Sequence, residues 1–182
     1  MADMTDLERL LASEEIKLVK ARRDRAVDTK DWDTYLALHA PDHVSHNDGY
    51  DRWSSAAEMI ANVRRLLGPD KISVHHSHTP EISFESPTKA SGIWAMEDNI
   101  FWKQGTEEHW LHGFGFYYET YEKRDGKWGL VLRRATVEVP LAGSAKLPNQ
   151  TFLPGSRYLK GNRDRTDPSY ERPLSCDTGG RW

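Results

Sequence analysis

Between Thr5 and Thr29 the chain carries neither Gly nor Pro, and Leu7, Leu11, Leu18, Val19, Ala26 and Val27 recur at helical spacing. This predicts one long amphipathic helix, opened by the capping-box spacing Thr5-Asp6-Leu7-Glu8. Asp31 can cap a short second helix with Trp32, Tyr35, Leu36 and Leu38 on its apolar face, stopped by Pro41. His43-Val44-Ser45-His46 reads as a short strand or turn, and Asn47-Asp48-Gly49 as a loop. A second capping box, Ser55-Ala56-Ala57-Glu58, opens a third helix that buries Met59, Ile60, Val63, Leu66 and Leu67 and ends at Gly68-Pro69.

Beyond Pro69 the period changes from helical to twofold. Short strands are predicted at Ile72–His76 and Glu81–Ser86, and long ones at Ala90–Lys103, Glu108–Lys123 and Trp128–Pro140. In the second long strand His112, Phe114, Phe116 and Tyr118 share a face. In the first, Trp94, Met96, Asp98, Ile100 and Trp102 do. Arg124-Asp125-Gly126-Lys127 is a hairpin signal. Three helices followed by hairpin-joined strands make an α+β domain over residues 1–140, with a curved, mostly antiparallel sheet. Residues 141–182 lack periodicity and hold Pro148, Pro154, Pro168 and Pro173. They read as an irregular extension. Its apolar anchors, Leu147, Phe152, Leu153, Tyr158, Leu159 and Tyr170, suit packing on the body or on a neighbouring subunit.

Composition narrows the function. A net charge of −3 does not suit a nucleic-acid binder, and no apolar run reaches membrane-spanning length. The single cysteine, Cys176, excludes a disulfide framework within the chain, and the charged N-terminus has no apolar signal core; a cytoplasmic protein is expected.

The chemistry concentrates in Ser73-Val74-His75-His76-Ser77-His78, with three of the eight histidines inside four residues. Imidazole exchanges protons near neutral pH. Alternation groups His76 with Ile72 and Val74, and His75 with Lys71 and Ser73, so periodicity does not choose between them as the base. No His-x-Glu, helical Glu-x-x-His or cysteine pair accompanies the histidines, so no metal site is expected. Asp98 on an aromatic-rich face needs a partner. His112, Phe116, Tyr117 and Trp94 are candidates to line a cavity.

The helix end Ala26-Val27-Asp28-Thr29-Lys30-Asp31-Trp32-Asp33, the hairpin Tyr121-Glu122-Lys123-Arg124-Asp125-Gly126-Lys127-Trp128, and Ser73–Ile82 with Trp94-Ala95-Met96-Glu97-Asp98 beyond it resemble the SnoaL-like branch of the nuclear transport factor 2-like superfamily. That branch includes bile acid 7α-dehydratase, scytalone dehydratase and lindane dehydrochlorinase. The resemblance spans roughly residues 5–139. It implies a cone-shaped α+β barrel, often a homotrimer though a dimer is possible, and lyases that use an Asp–His pair with no metal or organic cofactor. Motif by motif the pair falls on Asp28 and His75, and a further carboxylate on Asp98. Arg23 stands where those relatives carry tyrosine or lysine, and the last-strand arginine of the family falls on Val137. The function this resemblance implies is a cofactor-independent lyase acting on a hydroxylated hydrophobic, aromatic molecule, by dehydration or by loss of formaldehyde. An isomerase or cyclase and a non-catalytic binding module are the alternatives. Site candidates are Asp28, His75 and Arg23 for catalysis, and Asp98, His112, Tyr117, Trp94 and Phe116 for substrate.

Overall fold

The computed structural model describes residues 4–47, 52–143, 162–166 and 170, with no side-chain description for residue 47 or residues 134–143. The expected extension anchors Leu147, Phe152, Leu153, Tyr158 and Leu159 lie outside the described residues, as does Cys176. Tyr170 is described.

Three helices pack on a five-stranded sheet. They are α1 (Asp6–Asp28), α2 (Trp32–Ala37) and α3 (Ala56–Leu66). The strands are β1 (His39–Asn47), β2 (Lys71–Ser86), β3 (Lys89–Gln104), β4 (Glu107–Arg124) and β5 (Lys127–Gly143), in the order β1-β5-β4-β3-β2. All pairings are antiparallel except β1 with β5. The curved sheet wraps its concave face around α1, giving the cone of the expected α+β class.

Local chemistry sets the boundaries. Thr5 and Glu8 form both halves of the α1 capping box. Asp31 accepts from Thr34 N at 3.2 Å to open α2, and Ser55 accepts from Glu58 N at 3.1 Å to open α3. The β4–β5 hairpin turns through Asp125 and Gly126 at φ 50° and 76°, the left-handed pair that a two-residue turn requires.

Two strands are longer than the sequence suggests. β2 runs unbroken from Lys71 to Ser86 through Pro80, with its register slipping between Ser77 and Pro80. β1 begins at His39 and contains Pro41. Both strands lie at sheet edges, where a proline's missing N–H leaves no central ladder bond broken.

The helical face that α1 buries also differs from expectation. Leu7, Leu11 and Leu18 are 64%, 57% and 48% exposed, whereas Ala12, Ile16, Val19, Lys20, Arg23, Asp24, Ala26 and Val27 are buried. Both sets obey helical spacing, and hydrophobicity alone selects the leucines. The buried stripe is apolar at each end and charged between. Ala12, Ile16 and Val19 join Trp94, Met96, Tyr117, Tyr121, Trp128 and Leu130 in one core. Ala26 and Val27 join Tyr35, Trp53, Met59 and Val63 in another.

The charged stretch between these cores is fully paired. Lys20 Nζ donates to Glu119 Oε1 at 2.7 Å and lies 4.0 Å from the Tyr117 ring centroid. Arg23 donates to Tyr35 Oη at 2.7 Å, to Asp24 Oδ1 at 3.1 Å and to His39 Nε2 at 3.3 Å. Tyr121 donates to the other oxygen of Glu119. Removing one member strands its partner's charge away from water. Lys20→Met is expected to cost about 3–5 kcal/mol in urea unfolding, and adding Glu119→Met is expected to recover part of that loss. Equal costs for the single and double variants would contradict this.

Candidate active site

α1 ends beside the middle of β2, and the two elements share an open groove of about 760 Å³. α1 lines it with Asp24, Arg25 and Asp28, and its C-cap Thr29 adds to them. β2 lines it with His75, His76, Ser77 and His78, and Glu97 of β3 completes the rim.

β2 presents its polar face to the helix, and of the paired histidines His75 is the one bonded to α1. Ser73, His75 and Ser77 point toward α1, while Ile72 and Val74 are solvent-exposed on the convex side. A carboxylate only accepts, so His75 Nδ1 donates to Asp28 Oδ1, at 2.6 Å. The His75 backbone N–H donates to Asp28 Oδ2 and the Ser73 hydroxyl to Oδ1, both at 2.8 Å. Three donors thus fix the carboxylate, which in turn fixes the imidazole tautomer. Nε2 is left with no hydrogen bond among the described residues. One strand position along, Ser77 Oγ donates to Asp24 Oδ2 at 2.6 Å.

Asp98 stands directly across the β2–β3 pair from His75, and Tyr117 donates its hydroxyl to Asp98 Oδ2. Burial alone would lower the His75 pKa. The charges of Asp98, Asp28 and Asp24 and the hydrogen bond that His75 donates to Asp28 outweigh it, and the net shift is upward. Two further histidines of the interior shift the other way. Burial, with the charge of Arg23, brings His43 down to about 4 and His39 well below the usual range. Both are neutral structural groups at pH 7.

The eight residues expected at the site therefore separate. Asp28 bonds His75 and Tyr117 bonds Asp98, the two pairs facing each other across β2 and β3, but Asp98 and the fully buried Tyr117 do not line the groove. Arg23 points inward but is committed to Tyr35, Asp24 and His39 and does not line the groove; the arginine that does is Arg25. Trp94 is core, 3% exposed beside Ile16 and Tyr121. His112 and Phe116 stand on the convex face, with His112 Nε2 3.0 Å from Glu97 Oε1 and Phe116 level with Ala95 of β3. Their placement in the cavity is corrected: the concave face of β4 carries Tyr117, Glu119 and Tyr121. His78, expected in a turn, lies within β2 on the groove rim, 3.8 Å from Glu97.

Sequence reasoning did not single out Lys20, Asp24, Ser73 or Ser77. The available signal was positional. Residues 20, 23 and 24 continue the period of Ile16 and Val19, and residues 73, 75 and 77 alternate as one strand face.

The SnoaL-like domain family matches residues 8–134. The chain belongs to the SnoaL-like family. Its fold is shared by a hexachlorocyclohexane dehydrochlorinase at 18% identity and TM-score 0.69, over 82% of this chain and 98% of that one. A second dehydrochlorinase of that name, from Novosphingobium barchaimii, gives 18%, 0.68, 82% and 99%. A scytalone dehydratase-like protein from Novosphingobium aromaticivorans gives 15%, 0.68, 79% and 93%. At these identities the likeness carries the nuclear transport factor 2-like cone and not the substrate. Among the described residues of this SnoaL-like chain no helix is long and apolar enough to cross a membrane.

The raised pKa of His75 has a consequence for stability. A group with a folded pKa above its unfolded value, 6.5 for histidine, adds stability that is full below that value and lost as pH rises through the folded pKa. The stability gap between the wild type and His75→Gln should be larger at about pH 5.5 than at about pH 8.5. Equal gaps in urea midpoints at the two pH values would contradict the assigned sign.

Proposed function

We propose that this protein is a cofactor-independent lyase using Asp28 and His75 as an acid/base pair on a hydroxylated hydrophobic, aromatic small molecule. The carrying observation is the 2.6 Å bond between His75 Nδ1 and Asp28 on the wall of an open groove, with Nε2 making no hydrogen bond among the described residues. In a dehydration, Nε2 takes a proton from carbon and the C–H electron pair becomes the new double bond. The C–O bond breaks, and the imidazolium returns its proton to the departing hydroxyl as water. In a formaldehyde-releasing reaction, Nε2 takes the proton of a hydroxymethyl group and the C–C bond breaks to give formaldehyde. The released pair expels a second hydroxyl, which leaves as water. Asp28 and Asp98 favour the imidazolium in both, and Arg25 at the groove can donate to the leaving oxygen. Arg23, held in the buried network, serves in this reading to position Asp24 rather than to touch substrate.

The dehydrochlorinase and dehydratase names of the structural neighbours support a lyase over the other activities of the fold. An isomerase or cyclase would use the same pair to move a proton between carbons, and product analysis separates them: a lyase releases water or formaldehyde, whereas an isomerase conserves mass. We also propose that the chain works as a homo-oligomer, a trimer before a dimer. The apolar convex positions Ile72, Val74, Ile93, Phe101 and Phe114 support a second copy as their cover. Sedimentation as a monomer at micromolar concentration would remove that support.

Against a panel of hydroxylated aromatic compounds analysed by mass, His75→Ala and Asp28→Asn are expected to lower turnover at least about a hundredfold while retaining the fold by circular dichroism. Wild-type turnover should climb as pH rises through the raised His75 pKa, because the base must be neutral. Near-normal turnover in either variant would refute the assignment.

A further inference from the structure

The acid/base pair leaves one neighbouring group without a role. Lys30 lies two residues beyond the end of α1, with a backbone φ of 61°. Side chains bearing a Cβ rarely adopt this left-handed conformation, and glycine is the usual occupant at a helix end. The turn is made by backbone groups alone: Lys30 N–H donates to Val27 O at 3.4 Å and Asp31 N–H to Ala26 O at 2.8 Å. A lysine contributes nothing to that turn that glycine would not supply with less strain.

Its side chain does something specific. The Lys30 ammonium is buried and donates to Ser73 Oγ at 2.8 Å; Ser73 Oγ donates to Asp28 Oδ1 at 2.8 Å; Asp28 Oδ1 accepts from His75 Nδ1 at 2.6 Å. An ammonium has donors only. Ser73 must therefore accept from Lys30, and its single proton is directed at Asp28. Without that cation the hydroxyl is free to rotate away.

We propose that Lys30 is a positioning residue for the Asp28–His75 pair, acting through Ser73 to aim the carboxylate and to offset the negative charge that the imidazole faces. The proposal rests on the acid/base reading of that pair. Lys30 does not line the groove, so it acts behind the carboxylate and not on substrate. The charged groups facing it are Asp28 of α1, Asp70 and Lys71 at the start of β2, and Arg163 of the C-terminal segment. Those facing His75 are Asp24 and Asp28 of α1 and Asp98 of β3. Burial, aided by Arg163 and Lys71 and opposed by Asp28 and Asp70, brings the Lys30 pKa down to about 8, so the ammonium is charged at neutral pH.

The test is a nitrogen-15 NMR titration of the His75 ring in the full chain, assigned by loss of its signals in His75→Gln and read without substrate. Wild type, Lys30→Met, Lys30→Gly and Ser73→Ala are compared, each with a thermal melt. Removing a cation so close to the pair should raise the His75 pKa by roughly half a unit or more in both lysine variants. The Nδ1 proton should exchange faster with water in the lysine variants and in Ser73→Ala. Lys30→Gly should melt at or above wild type, because the turn strain is relieved. A titration and proton exchange unchanged in both folded lysine variants would overturn the proposal. So would a lower melting temperature with an unchanged titration, the signature of a purely structural lysine. Asp28→Asn in the same series separates the two levels. If it lowers the His75 pKa while the lysine variants do nothing, only the role of Lys30 fails. If it too does nothing, the acid/base reading fails with it. Absence of turnover on every compound tried bears on the lyase reading alone.

Discussion

The placement of α1 rests on a buried ion network. Lys20 reaches Glu119 across the concave sheet, and Arg23 and Asp24 pair beside it. A helix packed only by apolar contacts could rotate or slide by part of a turn at modest cost. A helix carrying three buried charges could not, because any displacement would leave a desolvated ion without its counter-ion. The burial of Glu119 opposes its ionisation, yet Lys20, Arg23 and Arg133 together hold its pKa below the usual carboxylate value. With the helix held in this way, its last turn delivers Asp28 to Ser73 and His75 at hydrogen-bond distance.

The site is thus cantilevered from the core. Asp24, within the buried network, also accepts from Ser77, so β2 is tied to α1 at two points, one carboxylate holding each. β2 is an edge strand with a proline and a register slip, features that favour local opening. The two serines and the histidine facing α1 compensate by fastening that edge to the helix. The same hydrogen bonds hold the Asp28–His75 pair and fasten the edge strand, so a change at Ser73 or Ser77 would be felt in both.

The two faces of the sheet share the work unevenly. The concave face carries buried charges and tyrosine hydroxyls paired with α1 or within the sheet. The convex face carries much of the exposed aliphatic and aromatic surface, including Ile93, Phe101, Phe114 and Tyr118 at 37–39% exposure. A small domain usually places its polar side chains outward. Apolar residues therefore occur on both faces, covered by α1 on the concave side and exposed on the convex side, which explains why the pattern on β2 and β4 misleads.

Several features were legible in the sequence: the α+β class, the number and order of the helices and the long hairpin strands from the residues themselves, and the pairing of Asp28 with His75 through the family resemblance. Helix caps, turn glycines and side-chain period are local, and the family motifs lie in contiguous segments. Tertiary structure decided which of two equally periodic faces turned inward. It sent Leu7, Leu11 and Leu18 outward and Lys20 and Asp24 inward, placed His75 inside and His112 and Phe116 outside, and tied Arg23 to Tyr35 instead of to the groove. The physical reason is that periodicity fixes only which residues share a face. The direction a face turns depends on whether its polar groups find partners, and those partners lie on strands as much as 99 positions away along the chain.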